Sequence, residues 1–319
     1  MRRRLLWGLV LAVGLLNVVV ALHAWRFTHF TADAGPRTRN PEKLPTAEKI
    51  KIILTGLQNP KPVNLAPPAF PYEDVTFRSP NGQLAAWYSA VPQARGTVIL
   101  CHGYTSDKSH LRTEAGYFRQ LGYAVLLFDF SGNGASEGYQ TTIGYREADD
   151  VVAATRWVQA RQPGVPVVLY GVSMGAVAIL RAESELGLRP AASIVECPYG
   201  SMLQTAQNRF ASMHLPPFPL ANLLVFWGSV ENGYWAFGLN AGEYARHVGT
   251  PTLLLWGTAD PRVRRAETDT IFAHLAGPKQ RVDFVGSGHE PYWRKHPRQW
   301  QQALASFLQA REASGRLAK

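Results

Sequence analysis

The chain has 319 residues, 46% of them hydrophobic and 18% charged, with a formal net charge of +10. Such a balance excludes a disordered or low-complexity chain and suits a buried globular core. Residues 1–64 carry +7 of that charge and the rest only +3, which argues against a nucleic-acid groove and for membrane lipid as the partner of the N-terminal segment.

Arg2, Arg3 and Arg4 precede an apolar run from Leu5 to Trp25, interrupted by Asn17 and His23. As a helix that run spans about 30 Å, the thickness of a bilayer's hydrocarbon. The arginines predict that the N-terminal end stays cytoplasmic and the rest of the chain lies across the membrane. A cleaved signal peptide is the competing reading, with Ala21 and Ala24 small enough for cleavage. The run is longer than the roughly 7–15 apolar residues of a signal core, which favours an uncleaved, single-pass anchor over residues 1–30. Either way the remaining chain is expected on the extracytoplasmic side.

Residues 31–69 read as stalk and linker. Within them Ile50, Ile53, Leu54 and Leu57 have helical spacing behind a Thr46 cap, which predicts a short amphipathic helix packed on the domain. The proline-rich stretch NPKPVNLAPPAFPYE predicts an extended linker.

From Asp74 onward short β-like runs alternate with helical stretches, which predicts an α/β sheet covered on both faces. Asp74–Phe77 and Leu84–Tyr88 flank a turn, Ser79-Pro80-Asn81-Gly82, and form an antiparallel start. The runs Thr97–Cys101, Tyr123–Phe128, Val167–Tyr170, Ala192–Val195, Thr252–Trp256 and Arg281–Val285 bring the sheet to eight mostly parallel strands. Cys101 and Cys197 end separate strands with the Ser173 strand between them. Two strand spacings, about 9–10 Å, exceed the roughly 7 Å reach of a disulfide, so both read as free thiols.

Gly171-Val172-Ser173-Met174-Gly175 lies between the strand VPVVLY and the helix AVAILRAESEL. A strand entering a helix through G-x-S-x-G presents its serine as a nucleophile on a strained turn. Serine needs a base. His289, in Gly286-Ser287-Gly288-His289-Glu290, follows the last strand, whereas His102 belongs to a turn, His274 to a helix and His296 to the C-terminal helix region. Asp260, in GTADP just past TLLLW, is placed to orient the imidazole; Asp269 and Asp283 fall within a helix and a strand. The backbone N–H groups of Met174 and Tyr104 are the expected oxyanion donors, and the His102 side chain is expected to hold the Tyr104 loop.

Other motifs carry less. Gly132-Asn133-Gly134 with Gly138 lacks dinucleotide-loop spacing, His289-Glu290 lacks a second zinc histidine because Trp293 stands in its place, and Asp149-Asp150 read as first-turn helix charges. No cofactor and no metal are expected.

Together HGYTSDKS, DFSGNGASEG, GVSMG, GTADPRV and GSGHEP resemble the α/β-hydrolase superfamily, in particular its serine-aminopeptidase-like and membrane-anchored acyl-hydrolase branch. The resemblance covers about Phe70 to Leu308 and implies an α/β-hydrolase domain over 70–319 that cleaves esters, thioesters or peptides without a cofactor. Asp129-Phe130-Ser131-Gly132 departs from the D-x-R-G of relatives, a difference that bears on subfamily. A helical cap is expected over about 199–249, where nine aromatics and four charged residues predict an apolar pocket for a small acyl substrate. Two neighbouring activities remain open, a carboxylic-ester or thioester hydrolase and an aminopeptidase-like amidase. A non-catalytic binding protein on the same scaffold is the alternative of another class.

Overall fold

The structure, a computed structural model, describes residues 1–32, 35–38 and 44–313. It contains one eight-stranded sheet in the order β1-β2-β4-β3-β5-β6-β7-β8. The strands are β1 (Glu73–Ser79), β2 (Gly82–Ser89), β3 (Thr97–Cys101), β4 (Ala124–Phe128), β5 (Val167–Val172), β6 (Ala192–Glu196), β7 (Thr252–Gly257) and β8 (Lys279–Phe284). β2 pairs antiparallel with both β1 and β4, and β3 to β8 run parallel. The turn predicted at residues 79–82 joins β1 to β2, with Ser79 paired to Gly82.

Helices are α1 (Arg2–Thr28), α2 (Thr46–Thr55), α3 (Arg112–Gln120), α4 (Glu147–Arg161), α5 (Met174–Glu185), α6 (Met202–Ser212), α7 (Leu220–Asn232), α8 (Ala241–Ala245), α9 (Arg265–His274), α10 (Tyr292–Lys295) and α11 (Pro297–Ala313). The chain divides into two compact units, one of Lys61–Gly200 with Asn240–Lys319, the other of Met1–Pro60 with Ser201–Leu239.

The first of these holds the sheet. The central strands β3 and β4 are buried along their whole length, as strands covered on both faces must be. On one face Val98, Leu100, Val125, Leu127, Val168 and Tyr170 pack with Phe118 of α3 and Trp300 and Phe307 of α11. Removing a side chain such as Phe118 from water contributes roughly 1.5–3 kcal/mol. α4 and α5 contact β5 from the body of the same unit. β3 is flanked by β4 on one side and β5 on the other. That reversal of strand order opens a crevice at the carboxyl edge, between the loops that follow β3 and β5. The proline-rich segment from Lys61 has no regular structure and is strapped down: Lys61 Nζ donates to the Gly138 carbonyl at 2.9 Å and Asn64 Nδ2 to Asp129 at 2.9 Å.

The other unit is helical. α1 packs on α7, and α7 on α6. Ser201 caps α6 by accepting from Gln204 N–H, and α7 stops at the left-handed Gly233. After α1 the chain is held at Thr31, whose N–H donates to the Asn59 carbonyl at 3.0 Å; Asn59 Nδ2 donates to the Arg26 carbonyl at 3.1 Å. α2 begins at Thr46 after Pro45 without a side-chain cap, so Thr46 is a first-turn residue rather than the expected cap. Ile50 is 52% exposed and Leu57 is half-buried. The side chains of Ile53 and Leu54, and residues 33–34 and 39–43 of the stalk, lie outside the described residues.

Candidate active site

Ser173 stands between β5 and α5 with φ 52° and ψ −111°, a left-handed strained conformation for a non-glycine residue. The turn is possible only because its flanking residues lack side chains. A Cβ on Gly171 would lie 2.6 Å from Ile179 Cδ1 and 2.7 Å from Ala176 N; one on Gly175 would lie 2.3 Å from the Cys101 carbonyl oxygen. The Ser173 N–H donates to the Glu196 carbonyl at 2.8 Å, pinning the turn to the end of β6.

The structure brings His289 and Asp260 to this serine. His289 Nε2 is 3.1 Å from Ser173 Oγ, and His289 Nδ1 is 2.7 Å from Asp260 Oδ2. Asp260 Oδ1 accepts from the backbone N–H groups of Arg262 at 2.8 Å and Val263 at 3.0 Å. A carboxylate held by donors on both oxygens leaves Nδ1 as the protonated ring nitrogen and Nε2 as the acceptor facing the serine. Its side chain is fully buried, whereas that of His289 is 17% exposed and open to a reactant. The loops bearing the two residues are laced together. Ala259 N–H donates to the Ser287 carbonyl at 2.9 Å, and Gly286 N–H to Thr258 Oγ1 at 2.8 Å.

The loop after β3 runs alongside. A Cβ built on Gly103 would lie 3.8 Å from the Ser173 Cβ, so the backbone leading into Tyr104 passes next to the serine. Met174 is the first residue of α5, where N–H groups lack intrahelical acceptors and the helix dipole favours negative charge. His102 is buried within the same loop. It accepts from Phe130 N–H at Nε2, 3.1 Å, and donates from Nδ1 to the Gly103 carbonyl, 2.8 Å. Burial lowers its pKa, which keeps the imidazole neutral and suited to those two roles.

Sequence reasoning missed several groups behind the site. Glu196, 1% exposed, accepts from Tyr170 Oη at 2.7 Å, Trp300 Nε1 at 3.2 Å and Tyr292 N–H at 3.4 Å. Its carbonyl holds the serine turn and its carboxylate holds the segment three residues past His289. Cys197 lies against Asp260 and His289: its Sγ and ligand atoms of those two residues all fall within 4.8 Å of one another. Burial raises its pKa well above the ordinary thiol value, so it remains a thiol there. Asp150, expected as a helix-terminal charge, is completely buried and accepts from Ser131 N–H at 3.0 Å. Asp129 pairs with the buried Lys108 at 2.6 Å, a structural anchor for the loop that carries Phe130. Both cysteines are free and buried.

A sequence model of the family described as serine aminopeptidase, S33 matches residues 92–215. The chain is 24% identical over 228 residues to the YqkD protein of Bacillus subtilis, covering 70% of this chain and 75% of that one. It is 27% identical over 212 residues to the lysophosphatidylserine lipase ABHD12 of Danio rerio, covering 64% and 51%. Among solved structures the esterase Pf2001 of Pyrococcus furiosus superposes with a TM-score of 0.65 at 24% identity, over 79% of this chain and 98% of that one.

Proposed function

We propose that this chain, a serine hydrolase of the α/β-hydrolase superfamily, cleaves carboxylic esters or thioesters through an acyl-enzyme on Ser173. The observation that carries this is the continuous hydrogen-bonded chain from Ser173 through His289 to Asp260. His289 Nε2 takes the hydroxyl proton as Ser173 Oγ attacks the acyl carbon, and Asp260 stabilises the imidazolium that forms. The N–H groups of Met174 and Tyr104 receive the oxyanion. His289 then returns the proton to the departing alcohol or thiol, and water releases the acyl group by the reverse sequence. The three filled positions disfavour a binding protein without activity. α1 serves as an uncleaved anchor with its arginines on the cytoplasmic side, and the catalytic unit works across the membrane on small acyl substrates that enter an apolar pocket.

The description of the matching family favours a second reading, an aminopeptidase-like amidase. A free α-amine needs a carboxylate partner, and the insert 199–249 offers only Glu231 and Glu243. The purified protein should therefore hydrolyse p-nitrophenyl esters faster than aminoacyl-nitroanilides, with butyrate exceeding acetate. Two more buried methylenes contribute about 1.6 kcal/mol and improve kcat/KM up to roughly tenfold. Ser173→Ala should abolish turnover and fluorophosphonate labelling. Faster nitroanilide cleavage that depends on Glu231 or Glu243 would establish the amidase instead.

A further inference from the structure

Residues of the helical unit fall into two sets. Val20, Ala24 and Thr28 of α1 and Ala221, Val225 and Ser229 of α7 recur every four residues and are buried, as expected where two helices approach closely. Phe218, Phe226, Val230 and Trp235 stay 76%, 42%, 56% and 64% exposed. Leu220 to Val230 contains no charged residue. Large apolar side chains exposed together on one short segment mark a contact surface.

α1 shows what that contact is. Its residues 2–15 are all exposed, and its C-terminal half packs on α7. Asn17, the amide that interrupts the apolar run, accepts at Oδ1 from Trp227 Nε1 of α7 at 3.1 Å and donates from Nδ2 to the Val13 carbonyl at 2.9 Å. An amide without such partners in hydrocarbon costs several kcal/mol or more, so the pair suits a non-aqueous setting. Asn17 precedes Trp25 by eight residues, which places it roughly 12 Å along the helix from the membrane boundary expected at Trp25. Half the hydrocarbon thickness is about 15 Å. A helix hydrogen-bonded to α1 at that level lies within the same leaflet.

We infer that α7 is a second membrane-embedded element: its exposed face, with Phe226 and Val230, contacts the acyl chains of the leaflet that surrounds the C-terminal half of α1. This inference rests on α1 being a retained anchor. Its consequence is that α7, within the insert 199–249, works against lipid rather than water.

The test uses the full-length protein in vesicles of phosphatidylcholine and phosphatidylglycerol. Phe226→Cys, Val230→Cys, Leu15→Cys and Val285→Cys variants are each labelled with an environment-sensitive fluorophore; Cys101 and Cys197 are 0% and 2% exposed and stay unlabelled. Quenching is read with aqueous iodide and with spin labels carried on the lipid acyl chains. Leu15 reports on the anchor and Val285, 74% exposed on the catalytic unit, on water. Labels at 226 and 230 should match Leu15, with several-fold weaker iodide quenching than at 285 and strong quenching by the lipid labels. Iodide quenching at 226 and 230 equal to that at 285, with Leu15 in lipid, would overturn the inference and leave the anchor intact. Shielding of 226 and 230 from both quenchers would overturn it in favour of contact between copies. Leu15 in water would remove the anchor and the inference together. None of these readings depends on turnover, so they stand apart from the hydrolase chemistry.

Discussion

At residue scale, strain and charge are concentrated around Ser173. A positive φ on a serine is costly, and the surrounding contacts hold it: the Glu196 carbonyl receives its N–H, and Gly171 and Gly175 give space that any side chain would fill. This arrangement was legible because the pattern is local, five residues between an apolar strand and an apolar helix. Asp260 and His289 were legible by their order in the chain and their places after strands. Glu196 and Cys197 were not, since nothing in ASIVECP distinguishes a carboxylate bonded to Tyr170, Trp300 and Tyr292 from one in solvent. Asp260 differs from Asp269 and Asp283 by having no exposed side-chain surface and three hydrogen-bond donors around it. Asp260→Asn keeps the size and the backbone contacts but removes the charge that stabilises the imidazolium and can reverse the ring tautomer. The expected loss in kcat is large, up to about 10⁴-fold, with little change in melting temperature. Steady-state kinetics on a p-nitrophenyl ester measures it, and a variant of normal kcat would assign the role to another carboxylate.

Among elements, the strands were legible to within a residue or two because buried parallel strands are short, β-branched and bounded by turns. The buried charges that join helices were not, because their partners are distant in sequence. Glu114 of α3 is 1% exposed and accepts from Trp293 Nε1 of α10 at 2.7 Å, with no partner for Oε2 among the described residues. Burial, helped by the nearby Glu196 charge, pushes its pKa up to about 8 from 4.5. The folded protein therefore keeps a proton that the unfolded chain releases above 4.5. Stability contributed by this group is present at low pH and is lost as pH rises toward 8, by at most about 1.4 kcal/mol per pH unit. Glu183 and Asp150, with values near 7 and 6, act in the same direction. Glu114→Gln keeps an acceptor for Trp293 and cannot ionise. Between pH 5 and pH 8 its melting temperature should fall less than that of the wild type. Parallel curves would show that Glu114 does not carry the titration.

For the whole molecule, the sequence predicts an anchor but not what it anchors to. Asn17 reads as a blemish in an apolar run, and α7 as one aromatic segment of an insert far along the chain. Only the fold unites them, since Trp227 and Asn17 are 210 residues apart and joined by one hydrogen bond. This bears on whether α1 is a leader. Cleavage after Ala21 or Ala24 would remove Asn17 and Val20 and leave the Trp227 N–H without its acceptor. It would also uncover the face of α7 that carries Ala221, Val225 and Ser229. On the proposed reading of α1 as a retained anchor, its packing on α7 belongs to the mature fold. The full-length protein should therefore stay in the membrane pellet after alkaline carbonate extraction, and its mass and N-terminal peptide should retain residues 1–24. The same preparation can test the pairing. Asn17→Leu keeps the apolar length, so it should remain in the pellet, yet it should lower the melting temperature by the loss of one part-buried hydrogen bond, about 1 kcal/mol. A mature N-terminus at Ala21 to Trp25, with protein released into the carbonate supernatant, would show that the segment is a cleaved signal.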